Sequence, residues 1–156
     1  MAFFSSMNIV GSGMTAQQAR LDVISENITN INTTRTESGG AYRRKITIMQ
    51  SESGKNGFRE AMSRAARKGH AISNRGFEQA GGVKIVEIAE DQTEMPFIYD
   101  PTHPDANEEG YVEMPNVTLV AEVTDAMAAS QAFNANVTAF NALKQVVQRG
   151  LDISGA

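Results

Sequence analysis

The sequence contains no cysteine and no tryptophan, and proline occurs only four times in 156 residues. Without cysteine the chain can form no disulfide and offers no thiolate as nucleophile or metal ligand. The cysteine content therefore does not indicate whether the protein works in an oxidising or a reducing compartment. No apolar run approaches the roughly 20 residues that a membrane-spanning helix requires. The formal net charge of −4 argues against a nucleic-acid partner, because phosphate binding needs clustered excess cation.

The first residues, MAFFSSMNIVG, lack the basic flank, apolar region and small-residue cleavage site of a secretory signal peptide. Taken alone, this composition predicts a cytoplasmic protein. The length and the hydrophobic content of 41% fit one domain, or one core with an attached lobe.

Motifs that carry catalysis are missing as well. The two histidines, His70 and His103, are 33 residues apart and have no neighbouring pattern of metal ligands. No serine lies in a nucleophile elbow, and no phosphate-cradling glycine loop precedes a lysine. The sequence therefore predicts a protein that is not an enzyme and holds neither a cofactor nor a metal ion.

One loop has part of the spacing of a calcium site. Asp105, Asn107 and Glu109 occupy the first, third and fifth positions of such a loop, and Gly110 occupies the sixth. The twelfth position, where a bidentate glutamate is required, is Asn116. Prolines also flank the loop where an entering helix is needed, so an acidic surface loop is the favoured interpretation.

What the sequence does contain is a heptad pattern near its N-terminus, which predicts a helix over residues 7–31. Such a pattern is typical of a helix that pairs with another helix, although it also fits the core face of an ordinary bundle helix. Its two registers are Met7, Met14, Leu21 and Ile28, and Val10, Gln17, Ile24 and Ile31.

A matching pattern occupies the other end of the chain. Its members are Leu119, Val123, Ala126, Ser130, Phe133, Val137, Phe140, Lys144, Val147 and Leu151. Asn116 is expected to cap the start of this second helix. Arg149 is expected to end it, with Gly150 just beyond the last turn.

The residues between the helices predict turns and short strands. Alternating β-branched residues indicate strands around Ile46–Ile48 and over 83–88, with weaker extended segments at 95–100 and 111–114. The predicted fold is α+β, in which N- and C-terminal helices pair as a coiled coil around a small β-rich inserted lobe. The corresponding divisions are residues 1–35, 36–115 and 116–156.

A basic stretch lies inside the lobe, over residues 58–76. Five cations (Arg59, Arg64, Arg67, Lys68 and Arg75) stand there against one acid, Glu60. A short amphipathic helix is compatible with the spacing of Phe58 and Met62, but a solvated cationic face is favoured.

Several separate motifs agree in order and spacing with one known family: the run from Ser12 to Thr36, and further motifs over roughly 5–50 and 97–153. These motifs resemble the bacterial flagellar basal-body rod protein family, and the run from Ser12 is similar to its N-terminal signature. Thr29 and Ala41 depart from the usual Ala and Pro. The matching residues include Asn27, Asn30, Asn32, Thr33, Gly39, Gly40, Tyr42, Arg43, Arg44, Tyr99, Asp100, Pro101, His103, Pro104, Gly110, Tyr111, Pro115, Asn116 and Asn136.

The resemblance implies a structural subunit of the rod, the helical drive shaft that passes torque from motor to hook. It also implies export, unfolded and without a cleaved signal, by the flagellar type III apparatus, and a place in the periplasmic rod. The implied partners are other copies of the chain, other rod subunits, and the motor-ring and export-gate proteins at the rod base.

Assembly of that kind assigns the two heptad patterns to subunit contacts. The expected interface residues are Met7, Val10, Met14, Leu21, Ile24, Ile28, Ile31, Val123, Phe133, Val137, Phe140 and Val147. Tyr42, Arg43, Arg44 and the loop 99–115 are also expected to contact adjacent subunits. The alternative is a soluble helical adaptor or chaperone that offers the same seam to a different partner helix.

Overall fold

The computed structural model describes residues 2–37, 39–53 and 80–154. Two long helices, α1 (Ala2–Thr29) and α2 (Leu119–Ser154), enclose the β-rich residues in sequence and pack against each other. Between them come four strands: β1 (Lys45–Ser53), β2 (Ala80–Glu90), β3 (Phe97–Tyr99) and β4 (Tyr111–Glu113). This architecture confirms the predicted α+β class with paired terminal helices.

Helix α1 begins at Ala2, five residues before the predicted start, and ends at Thr29. The residues AFFSS contain neither Gly nor Pro, so nothing in the backbone preference stops the helix from extending. After Thr29 the turn tightens, because the amides of Ile31 and Thr33 donate to carbonyls only three residues back. The Asn/Thr-rich cluster therefore ends the helix as expected, two residues before Ile31.

The predicted ends of α2 are wrong at both termini. Helix α2 starts at Leu119, and the amide of Glu122 donates to the carbonyl of Thr118, which makes Thr118 the N-cap. The side chain of Asn116 makes its hydrogen bonds elsewhere in the fold. Gly150 does not end the helix, which continues to Ser154, and Leu151 remains 65% exposed on it.

The four strands form two separate antiparallel pairs, and each predicted strand is found. In the first sheet Lys45 pairs with Glu90 at one end, and two register shifts interrupt the ladder towards Ser53. In the second, Tyr99 pairs with Tyr111. Pro96 immediately precedes β3, so the proline, which has no amide hydrogen to donate, is not part of the short ladder.

A single close approach fixes β2 on α1. Ser12 Oγ accepts a hydrogen bond from the amide of Val83 at 3.0 Å and donates to the carbonyl of Ile9 at 2.7 Å. Gly82 has a φ of +82°, and a Cβ at that position would lie 2.3 Å from Ser12 Oγ. Glycine is therefore required here both by the backbone conformation and by the space available.

The cationic stretch 58–76 and His70, with the short helix considered there, lie outside the described residues. Among the described residues, neither long helix is apolar enough over a sufficient length to cross a membrane.

Candidate subunit interface

The junction of α1, β1 and α2 is built around one buried amide, that of Asn27, which is 1% exposed. Its Nδ2 donates to the carbonyl of Lys45 at 2.9 Å and to Oε2 of Glu122 at 3.1 Å. Its Oδ1 accepts from the hydroxyl of Tyr42 and from the amide of Lys45, both at 2.9 Å. All four hydrogen-bonding positions of the amide are used, so its orientation is fixed.

A charged layer lies beside this amide. The guanidinium of Arg44 donates to Glu122, which is 0% exposed, and contacts Asp125 at 3.2 Å and Asp91 at 3.6 Å. Asp125 also contacts Arg20 of α1 at 3.2 Å. Burial alone would lower the pKa of Arg44, but the hydrogen bond to Glu122 and the surrounding carboxylates raise it above its ordinary value.

Tyr42 shares this environment, and it is 6% exposed. Burial raises the pKa of its hydroxyl to about 12, and the negative charges of Glu26, Glu122 and Glu90 add to the effect. The tyrosine is therefore neutral under ordinary conditions and donates to Asn27. We call Asn27, Tyr42, Arg44, Glu122 and Asp125 the junction cluster.

Asn116 extends the junction cluster to the chain that leads out of β2. Its Oδ1 accepts from the amide of Arg44 at 2.8 Å, and its Nδ2 donates to Thr93 Oγ1 at 2.9 Å and to the carbonyl of Asp91 at 3.2 Å. Hydrogen bonds from Thr93 lower the pKa of the Asp91 carboxyl, and Arg44 assists. The motif residues Asn27, Tyr42, Arg44 and Asn116 thus meet at one place and hold the lobe to both helices.

The loop between β3 and β4 is closed by its own backbone. Asn107 Oδ1 accepts from the amides of Glu109 and Tyr111, and the amide of Asp105 donates to His103 Nδ1. Gly110, with a φ of +82°, permits the reversal into β4. The motif residues of this loop therefore shape the hairpin that carries Tyr99 and Tyr111.

Two of the three loop residues with the spacing of calcium ligands have other partners. The carboxylate of Asp105 contacts Arg35 at 2.9 Å and accepts from Thr34 Oγ1 at 2.9 Å. The Oδ1 of Asn107 accepts the two backbone hydrogen bonds of the loop described above. Within the described ranges no group of three or more His, Cys, Asp or Glu side chains is placed to hold a metal ion.

The other motif residues lie in the turns between α1 and β1, just before α2, and on α2 itself, where Asn136 is found. Thr33 Oγ1 donates to Asn30 Oδ1 at 3.1 Å, while Asn32 is exposed. Gly39 and Gly40 both have positive φ and form the predicted turn. Arg43 is half-buried, and Pro115 is buried next to Asn116.

Helix α1 buries a seam that is displaced from the predicted heptad. Its buried side chains are Ala16, Val23, Ile24 and Asn27, and only Ile24 belongs to the heptad. Gly13 approaches α2 so closely that a Cβ there would lie 3.0 Å from Asn136 Nδ2. The remaining apolar members of the heptad are half-buried in the single chain: Met7, Val10, Met14, Leu21, Ile28 and Ile31.

Helix α2 shows the same displacement by one position in one of its two registers. Glu122 and Ala129, seven residues apart, are both 0% exposed, whereas the predicted member Val123 is 44% exposed. The expected interface residues of the other register are half-buried, and so is Val137. These residues are Phe133, Phe140 and Val147. Small and paired polar residues line the closest approach, and larger apolar residues lie at its margins.

Helix α2 and both sheets leave large apolar side chains exposed to solvent. Exposed apolar patches of this kind mark sites of association in folded proteins. On α2 the exposed side chains are Leu119, Val120, Val123, Met127, Val146 and Leu151, and on the strands they are Ile48, Val86, Ile88, Phe97, Ile98, Tyr99 and Tyr111.

Two segments match known protein families. Residues 7–35 match the family described as "Flagella basal body rod protein". Residues 108–153 match the family described as "Flagellar basal body rod FlgEFG protein C-terminal". The two matches cover most of both helices and β4, and with them Asn27, Glu122 and Asp125 of the junction cluster, whereas Tyr42 and Arg44 lie between the matched segments.

Curated relatives match over almost the whole chain, beyond the two segments on which the resemblance rests. The chain is 38% identical to flagellar basal-body rod protein FlgC of Bacillus subtilis (strain 168), over 98% of this chain and 99% of the relative. It is 39% identical to FlgC of Borreliella burgdorferi, over 98% of each, and 32% identical to that of Escherichia coli O6:H1. The chain therefore belongs to the FlgC family of flagellar basal-body rod proteins.

Proposed function

We propose that this chain is a structural subunit of the flagellar rod and that it assembles through the partly exposed apolar heptad residues of its two helices, which we call the apolar stripes. The observation that carries the proposal is the displaced seam. Inside one chain the helices meet through small and polar residues, so the large apolar residues at Met14, Leu21 and Ile28 stay half-exposed. A neighbouring helix would complete their burial, and large apolar residues left exposed favour such association.

The geometry suits an open assembly. The stripes of α1 and α2 differ in composition, so in this proposal the stripe of one helix packs against a different stripe on the next copy. Contacts of that heterologous kind propagate as helical filaments when the rotation does not close a ring. Eleven of the twelve interface residues expected from the heptads, Val123 among them, are the proposed contacts, and the twelfth, Ile24, is already buried between the elements of the single chain.

Torque transmission requires that the lobe and the helical core move together. The junction cluster supports this role, because its hydrogen bonds join α1, β1 and α2 through buried groups. Residues 1–35 and 116–156 then form one core, and residues 36–115 form a lobe that is attached to it. The titratable groups of the cluster are bound to each other, which supports a mechanical role rather than a catalytic one.

Export and location follow from the same assignment. We propose that the chain passes unfolded through the flagellar type III apparatus and works in the periplasmic rod. Its absence of cysteine is compatible with that route, because no disulfide can form that would block a narrow channel. Motor-ring and export-gate proteins at the rod base are proposed as its neighbours, besides other rod subunits.

Replacement of one exposed apolar residue beside a proposed contact tests the assignment. Met127 lies one turn from Val123 and is 69% exposed, so Met127→Lys should leave the isolated chain folded while it places a charge at the proposed interface. In a strain that lacks its own copy, we expect the variant to be missing from isolated basal bodies and the cells not to swim.

The matched control is Gln131→Lys, one turn along the same helix at an exposed polar position. We expect this control to enter basal bodies. If the unmodified chain were itself absent from basal bodies, the rod assignment would fall and a helical adaptor would replace it.

A further inference from the structure

The outer side of the β3–β4 hairpin is an aromatic surface. Because Phe97 pairs with Glu113 and Tyr99 pairs with Tyr111, strand alternation places these four side chains on one side of the hairpin. Phe97 and Tyr99 are each 64% exposed, while Val112 on the other side is 2% exposed. The tyrosine rings meet edge to face, with centroids 5.3 Å apart. We call these four residues the aromatic face.

Acidic residues surround the aromatic face. Residues 91–114 contain no Lys or Arg, and their acids are Asp91, Glu94, Asp100, Asp105, Glu108, Glu109 and Glu113. Asp91 and Asp105 have cationic partners within the chain. Glu94, Glu108 and Glu109 are exposed to solvent, and hydrogen bonds from Thr102 lower the pKa of the Asp100 carboxyl. The exposed surface therefore combines ring faces with carboxylates.

The same chain carries the complementary chemistry in residues 54–79. This segment has six cations (Lys55, Arg59, Arg64, Arg67, Lys68 and Arg75) against two acids, Glu60 and Glu78. Guanidinium and ammonium groups bind aromatic ring faces, and they bind carboxylates by charge-assisted hydrogen bonds. Opposite charge on two surfaces also selects partners and steers their encounter.

The two features are attached at opposite ends of the first sheet. The cationic segment joins the ends of β1 and β2 at Ser53 and Ala80, whereas the acidic hairpin follows Glu90. The 11 residues of β2 separate these points by about 33 Å. A contact between such distant features of two copies is heterologous, and it can repeat from copy to copy along a helical assembly.

We propose that the aromatic face of one copy docks the cationic segment 54–79 of a neighbouring copy, an inference that rests on the proposed rod function. Arginines of the segment stack on Phe97, Tyr99 and Tyr111, while Glu113 and the surrounding acids pair with its remaining cations. The contact adds specificity between lobes to the contacts between helices.

Engineered cysteines test the contact cleanly, because the chain has none of its own. One tagged copy carries Ser63→Cys, between Arg59 and Arg64, and a second carries Glu108→Cys on the exposed loop beside the aromatic face. Both are made in the same cells, basal bodies are isolated and oxidised, and heterodimers are scored. The matched control replaces Glu108→Cys by Gln50→Cys, which is exposed on β1.

We expect heterodimers with Glu108→Cys and none with Gln50→Cys. Reversing three acids (Glu94→Lys, Glu109→Lys and Glu113→Lys) should lower the yield of heterodimers by about tenfold or more. One exposed ion pair accounts for only part of such an effect, so three are reversed together. Reversing Arg64, Arg67 and Lys68 to Glu on the other copy should restore it.

The remaining outcomes overturn the inference and separate it from the rod assignment. Both copies present in basal bodies without heterodimers would refute the contact while leaving the rod function intact. A disulfide only within one chain that carries both cysteines would show that the segment docks on its own lobe. Unmodified chain absent from basal bodies would refute the rod function, and the inference with it.

Discussion

The side chains of Asn27 on α1 and Glu122 on α2 meet 3.1 Å apart, with 1% and 0% of their surface exposed. A buried carboxylate is costly unless it is paired and hydrogen-bonded. Here Arg44 neutralises the charge and Asn27 satisfies the second oxygen. The helix pair is therefore joined by a specific polar contact at the point where the lobe also attaches.

Asn27→Ala should destabilise the isolated chain strongly. The change removes the hydrogen bonds that Asn27 makes to the Tyr42 hydroxyl, the Lys45 amide and Oε2 of Glu122, and unsatisfied buried groups cost about 1–3 kcal/mol apiece. We expect a loss of about 3 kcal/mol or more in the free energy of unfolding, measured with urea. Asn32→Ala, at an exposed motif position, is the control and should change stability by less than about 0.5 kcal/mol. Equal effects for the two variants would contradict a central role for the buried amide.

Tyr42 predicts a loss of stability in alkali. Its pKa is raised from 10.0 to about 12 in the folded chain, so the folded state disfavours the tyrosinate. The contribution is complete below pH 10 and is lost between about pH 10 and pH 12, by about 3 kcal/mol in total. Urea unfolding at several pH values should show Tyr42→Phe to be less stable than the unmodified chain at pH 7 by about 1 kcal/mol, with the difference vanishing and then reversing sign as the pH rises towards 12. A constant difference would show that Tyr42 titrates normally.

Two glycine substitutions are expected to act in opposite directions. Gly82→Ala places a Cβ against Ser12 and forces an alanine into a backbone conformation with positive φ, which is strained. The lobe should therefore detach, and the free energy of unfolding should fall by about 2 kcal/mol. Gly11→Ala meets nothing within 4 Å inside α1, and it should raise the stability of the isolated chain by about 0.5–1 kcal/mol. Thermal unfolding of both variants checks the contrast. A neutral Gly82→Ala would contradict the tight contact between β2 and α1.

Phe140→Ala separates stability of the chain from stability of the assembly. Phe140 is only half-buried in the single chain, so we expect a loss of about 1–2 kcal/mol in the free energy of unfolding. Full burial against a neighbour raises the cost in the assembled state to about 3–5 kcal/mol. Dissociation of basal bodies by denaturant, compared with unfolding of the isolated chain, measures the difference. An assembled-state cost below about 1 kcal/mol would remove Phe140 from the interface.

The helices and strands were predictable because periodicity reports them directly. The register of the helix pair was not. Heptad analysis follows large apolar residues, whereas the closest approach is made by Gly13, Ala129 and the paired Glu122. The apolar residues that define the pattern are instead left partly exposed, which is the feature that carries the proposed assembly.

The polar residues were harder to place from the sequence. Asn27 lies in an Asn/Thr-rich run that indicates the end of a helix, and only the family resemblance singled it out. Asn116 satisfied the residue preference for an N-cap, but its amide links Arg44 to Thr93, and the helix starts three residues later. Long-range partners of this kind leave no periodic signal.

Amide hydrogen exchange along α1 and α2, in the purified chain and in isolated basal bodies, tests the central claim most directly. If the half-exposed stripes are subunit contacts, amides of both helices should exchange faster in the purified chain and become protected in the basal body. Equal protection of both helices in the purified chain and in basal bodies, or absence of the chain from basal bodies, would contradict assembly through these stripes.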